Sequence, residues 1–248
     1  MQSRIIDGYF KKAEMKHILQ QSGLLRNLDD NLLAEILRQT TRETWMHKRA
    51  VPAQDVSDRI HIIISGRLQI TQINPDTGRM IALFLLAPGD AFDMLQLLTG
   101  TPCDGIMLAR DDVDLLTMPM EDMRDLITAH PEINRSFLPY LGHQMRSLVN
   151  LAGDLALHDT ETRLAHLIMR HIDDKDPEHR HLTLINDLSH EALAEMIGSV
   201  RPVVNRQLQH WRKQGIIGLD HGHIQIKRLQ SLLERAKTRS LPPPSNTS

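Results

Sequence analysis

The feature that most constrains this fold is a periodic stretch in the middle of the chain. Phe137, Leu141, Gln144, Leu148, Leu151, Leu155 and His158 recur at alternating spacings of four and three residues, the a/d seam of a heptad helix. Pro131 suits a first helical turn, where its missing N–H would have had no partner, so the spacing predicts one helix over 131–158. A helix of that length extends about 42 Å, more than one small domain can cover. The seam therefore asks for a partner helix, and the helix divides the chain into two parts. A chain of 248 residues has room for two modest cores.

The two flanks differ in texture. From about Thr41 to Met118, short apolar or alternating runs are separated by turn residues: IHIIISG, LQITQI, NPDTG, MIALFLL, APGD and VDLLTM. Regularly spaced short strands predict a compact antiparallel sandwich or roll. NPDTG supplies its clearest hairpin, with Pro75 and Gly78 at turn positions. Two short helices, Lys12–Gln21 and Asp29–Gln39, precede it. Beyond the long helix come the amphipathic HDTETRLAHLIMRHI, the acidic loop DDKDPEHR, a short strand HLTLI and a helix SHEALAEMIG capped by Ser189. A second helix in SVRPVVNRQLQHWRKQG ends at Gly215, and IIGL, DHG and HIQIK make a hairpin. The expected fold class is α+β. An N-terminal antiparallel β-roll of jelly-roll type fills 1–130, a dimerisation helix 131–158, a winged helix-turn-helix 159–236 and a disordered tail 237–248.

Charge separates the two parts further. The chain has a formal net charge of -2, so affinity for a polyanion has to come from local asymmetry. Between Ser199 and Arg239 there are nine Arg and Lys against two acids, Asp220 and Glu234. Val204, Leu208 and Trp211 fall on one helical face and can close a core with Leu193 and Ile197, across a turn at Gly198. That leaves Arg201, Asn205, Arg206, Gln209, Arg212 and Lys213 turned outward. Arginine can bond a guanine edge twice and asparagine an adenine edge, each pair worth about 1–3 kcal/mol of discrimination. The other cations suit phosphates. The candidate DNA-binding set is Ser199, Val200, Arg201, Pro202, Asn205, Arg206 and Gln209.

Other classes are disfavoured. The longest apolar run, MIALFLLA, is far too short to cross a bilayer, and the first residues lack the apolar core of a secretion signal, so a cytoplasmic protein without membrane contact is expected. A lone cysteine, Cys103, permits neither an internal disulfide nor a cysteine-held iron–sulfur cluster.

In this order of parts, with IHIIISGRLQI, NPDTGRMIALFLLAPGDAF, HDTETRLAHLIM and LAEMIGSVRPVVNRQL as anchors, the chain resembles the CRP/FNR family of bacterial transcription regulators over roughly Leu28 to Lys227. The resemblance implies a cyclic-nucleotide-binding-like roll and a homodimer joined through Phe137, Leu141, Gln144, Leu148, Leu151 and Leu155. It also implies a second motif helix that reads the major groove of a roughly palindromic operator in double-stranded DNA, with RNA polymerase as a further partner. By position, Arg201 matches an arginine that often contacts phosphate and Arg206 one that often reads a base, while Asn205 fills a specificity position. Pro202 stands where many relatives place a base-reading glutamate, which sets this chain's target apart.

The effector end departs from the family pattern in the stretch GDAFDMLQLLTGTPCDGIML. The cyclic-nucleotide cassette of the family needs a glutamate for the ribose and an arginine with a serine for the phosphate. Met94, Asp104 and Gly105 stand at those places here. An aspartate facing a phosphate in a dry pocket is repulsive, which argues against cyclic AMP. In the haem-containing branch a cysteine and a histidine fill the positions of Asp93 and Leu95, which argues against haem held that way. Asp93, Met94, Leu95, Cys103 and Asp104 remain the effector-pocket candidates, and the effector itself is open. Alternatives are haem on His17, His47 or His61, redox sensing at Cys103, and a constitutive DNA-binding protein whose pocket is filled by Met94, Leu95, Leu97 and Leu98. A metal-dependent cupin-like enzyme would need clustered ligands in the roll, yet the close histidine pairs, His179/His181 and His221/His223, lie outside it. No catalytic residue and no metal site are therefore expected.

Overall fold

Strand β3 (Arg59–Ser65) reads as a continuous apolar run because both of its faces are covered. Ile60, Ile62 and Ile64 point into a helix-side core, while His61 and Ile63 point the opposite way. In a computed structural model, residues 17–20, 23–26, 28–172, 182–220 and 223–237 are described. They fall into two units, one built from residues up to 148 other than 80–82, the second from 149 onward.

In the first unit, β1 (Thr41–Trp45), β2 (Ala50–Pro52), β3, β4 (Leu68–Ile73), β5 (Met80–Leu86), β6 (Ala91–Phe92), β7 (Ile106–Ala109) and β8 (Val113–Pro119) form two antiparallel sheets, ordered β1-β8-β3-β6 and β2-β7-β4-β5. Trp45, Ile63, Leu68, Leu86, Phe92, Met107 and Leu115 fill one buried cluster, the inner core of the roll. A helical layer covers the outer face of the first sheet: α1 (Asp30–Gln39), α3 (Met120–Ala129) and the start of α4 (Asn134–Leu157). Between β6 and β7 lies the short α2 (Met94–Thr99). Asp29 caps α1, its carboxylate accepting from the amides of Asn31 and Leu32 at 2.9 Å each. Of the helix predicted at Lys12–Gln21, residues 17–20 are helical and the rest lies outside the described residues.

The predicted long helix starts slightly late. Pro131–Ile133 form a 3-10 turn, α4 follows, and Pro139 sits inside it. Proline there removes one amide from the hydrogen-bond ladder, at the carbonyl of Arg135.

The second unit contains α5 (Thr160–Arg170), α6 (His190–Met196), α7 (Arg201–Lys213), the hairpin β9 (Ile217–Asp220) with β10 (His223–Ile226), and α8 (Leu229–Ala236). Ser189 caps α6 as expected, its hydroxyl accepting from the Ala192 amide at 3.2 Å. HLTLI is not a strand. Leu182 makes one bridge to Ile172 and the chain then turns, burying Leu182 and Ile185, three residues apart, in the core. Helix α8 has no counterpart in the sequence reading. The acidic loop with His179 and His181, His221 at the hairpin tip and the tail from 238 lie outside the described residues.

Candidate functional site

Helices α6 and α7 are joined by a turn that favours glycine. Gly198 has φ +60, and a Cβ there would stand 2.6 Å from Leu155 Cδ2 and 3.4 Å from Arg163 Nη1. The Ser199 amide donates back to the Ala194 carbonyl at 2.8 Å, closing the end of α6. Pro202 occupies the first turn of α7, so it costs no helix bond. Val204, Leu208 and Trp211 are fully buried. That face fixes the rotation of α7 and leaves Arg201, Pro202, Asn205, Arg206, Arg212 and Lys213 exposed, with Gln209 and Ser199 half-buried. Val200, at the head of the helix, is 50% exposed. The structure thus brings all seven predicted DNA-binding residues to the turn and one face of a single helix.

Sequence reasoning missed what holds that helix. Trp211 Nε1 donates to Glu161 Oε1 at 2.9 Å, and Arg235 Nε donates to the same oxygen at 3.0 Å. One carboxylate therefore ties α7 to α5 and α8. The only sequence signal was that a buried indole N–H needs an acceptor.

The predicted effector set divides. Asp93, in the left-handed region at φ 68, turns its carboxylate onto His61 at 3.3 Å. Both side chains are buried, and burial raises the Asp93 carboxyl above its ordinary value, with His61 opposing. Met94 and Leu97 belong to the helix-side core, whereas Leu95 and Leu98 are 53% and 54% exposed. Cys103 is half-buried. Burial, then the carboxylates of Asp93 and Asp104, push its thiol up, the wrong direction for a reactive thiolate.

The haem-ligand candidates do not share an environment. The His61 ring stacks on Phe92 with centroids 4.3 Å apart and tilts against Trp45, sealed in the inner core. His47 sits on an exposed turn with Nδ1 2.7 Å from the Arg110 carbonyl, and His17 is exposed.

The residues of the predicted seam on α4 lie in different surroundings. Phe137 is buried in the core of its own unit, and Gln144 donates to the Tyr140 hydroxyl at 2.8 Å. Leu141, Leu148 and Leu151 are half-buried, and Leu155 lies by Gly198. The exposed heptad stripe runs one residue later: Leu138, Gly142, Met145, Val149, Ala152 and Ala156. Leu138, Met145 and Val149 are 61%, 67% and 67% exposed. Tyr140, unnoticed in the sequence, accepts from the Ala91 amide at 2.9 Å and lies 3.3 Å from Asp90 Oδ1. It links α4 to the strand that leads into α2.

Two family models match along the chain: the cyclic nucleotide-binding domain over residues 51–130 and the Crp-like helix-turn-helix domain over residues 162–235. The chain belongs to the CRP/FNR family. It is a DNA-binding transcription regulator. A curated relative, the CRP-like cAMP-activated global transcriptional regulator of Mycobacterium tuberculosis, is 27% identical over 225 residues, covering 90% of this chain and 100% of the relative. The global nitrogen regulator of a Nostoc species is 27% identical over 211 residues, covering 80% and 94%. Among solved structures, a CooA variant from Carboxydothermus hydrogenoformans superposes with TM-score 0.71 at 20% identity, covering 88% and 98%. The c-di-GMP responsive regulator CLP of Xanthomonas campestris superposes with TM-score 0.68 at 18% identity, covering 80% and 99%. Both share the fold of this CRP/FNR protein. Among the described residues, no helix is long and apolar enough to cross a membrane.

Proposed function

We propose that the protein is a cytoplasmic homodimer that acts by binding DNA and RNA polymerase rather than by catalysis. Two α7 helices enter successive major grooves of an approximately palindromic operator. The observation that carries this reading is the division of α7 into a fully buried apolar face and an exposed face bearing Arg201, Asn205, Arg206, Arg212 and Lys213. Arg201 meets phosphate, Arg206 and Asn205 read base edges, and Ser199, Val200, Pro202 and Gln209 complete the surface. The dimer forms through α4, on the stripe that contains Leu138, Met145 and Val149. Apolar side chains exposed at heptad spacing are the surface a second α4 covers.

The roll receives the signal, and its ligand is not cyclic AMP bound in the family manner. The segment Gly89–Leu108 carries three aspartates and no Lys or Arg, so a cyclic phosphate there meets repulsion without compensation. Tyr140 is the mechanical link: a shift at Asp90 or Ala91 displaces α4, and the population of DNA-competent dimers changes with it.

Selection of binding sites from random DNA tests the arrangement. The expected product is an inverted repeat with half-sites about 10–10.5 base pairs apart, or a multiple of that. A single unrepeated site, or no enrichment, contradicts it.

A further inference from the structure

Three side chains that the sequence keeps apart meet at the end of α4. Asp154 and His158 are four residues apart, the spacing that sets two side chains over one another on a helix. His166 reaches them from α5. One ligand atom from each lies within 4.8 Å of the other two, and all three residues belong to the second unit. We propose that Asp154, His158 and His166 bind a divalent transition ion of the zinc, cobalt or nickel kind. Two imidazole nitrogens and one carboxylate oxygen are donors that such ions take, and three protein ligands leave room for water.

The surroundings prepare His166 for that role. Its Nε2 is 2.7 Å from the backbone carbonyl of Ala236, which can only accept, so Nε2 carries the hydrogen and Nδ1 is the ligating atom. An imidazole held through its far N–H by a carbonyl is the usual outer support of a metal ligand. Asp154 is 7% exposed, and its second oxygen accepts from Arg170 Nη1 at 2.8 Å, which fixes the carboxylate plane. His158 stands edge-on to His166 with ring centroids 5.0 Å apart.

Nδ1 of His166 is 2.6 Å from Asp154 Oδ1, so two of the three donors already face one another. Metal bonds of about 2.0–2.2 Å require the two to part slightly, with the lone pair of Nδ1 directed at the ion and any proton it carries released to solvent. No electron transfer is involved. The bound ion clamps the end of α4 to α5 within the unit that carries α7.

The test is titration of the purified full-length chain with Co2+, followed by its ligand-field absorption. Calorimetry with Zn2+ accompanies it. The expected result is one ion per chain, with a rise in melting temperature. His158→Ala should weaken binding at least tenfold in protein that circular dichroism shows to be folded. His166→Gln should abolish binding. The paired variants His179→Ala/His181→Ala and His221→Ala/His223→Ala should bind as the parent does. Wild-type affinity in folded His158→Ala protein overturns the assignment. So does loss of binding confined to either paired variant, or the absence of saturable binding below millimolar metal.

Discussion

Gly198 carries the backbone through the left-handed turn between α6 and α7. A left-handed backbone costs an alanine about 1–2 kcal/mol, and the 2.6 Å approach to Leu155 adds a clash. Gly198→Ala should lower the melting temperature and weaken DNA binding through misplaced α7, checked by thermal melts beside an operator-binding titration. Asp159 works differently. The Thr162 amide bonded to it holds its carboxyl below the ordinary value. A depressed folded-state value means that the contribution is present above the ordinary carboxylate range and lost as pH falls through the folded value. Asp159→Ala should therefore cost about 1 kcal/mol at neutral pH, and the gap between variant and parent should close in acid. The exposed face of α7 was legible residue by residue, because buried Val204, Leu208 and Trp211 leave one rotation of the helix. Glu161 was not legible, since its partners Trp211 and Arg235 are distant in sequence.

At the scale of elements, the heptad period of α4 was legible, and which of its stripes stays exposed was not. Spacing alone fits two adjacent stripes. What chooses between them is long-range: Phe137 enters the core beneath β3 and β8, and Tyr140 bonds Ala91. The stripe left over carries Leu138, Met145 and Val149. Met145→Glu combined with Val149→Glu should place like charges across the dimer axis and give a folded monomer by sedimentation, with weakened operator binding. Gln144→Ala should remain dimeric. A dimeric double variant would move the interface elsewhere. HLTLI misled for a related reason. Its β-favouring residues serve as two core anchors, Leu182 and Ile185, and among the described residues no strand alongside extends the bridge to Ile172.

At the scale of the whole molecule, the chain keeps the regulator architecture, and the segment Gly89–Leu108 within its roll carries no Lys or Arg. The roll was legible from its evenly spaced short strands, and so was the absence of cations from Gly89–Leu108. The closure of Asp93 onto His61 was not, because His61 lies within β3 and Asp93 just past β6, and the two meet only once the roll forms. Added cyclic AMP should leave operator affinity unchanged, whereas allosteric coupling in general produces changes of about 5–150-fold. Tyr140→Phe should dimerise normally yet alter how operator affinity responds to the true signal.

The central claim is that α7 reads DNA, and Arg206 tests it most directly. Binding of the parent and of Arg206→Ala to the selected operator should be measured at fixed salt, with folding and dimerisation verified. Loss of a guanine contact of about 1–3 kcal/mol predicts at least about tenfold weaker binding and relaxed preference at one base pair of each half-site. Equal affinity and equal preference in the two proteins would contradict the account.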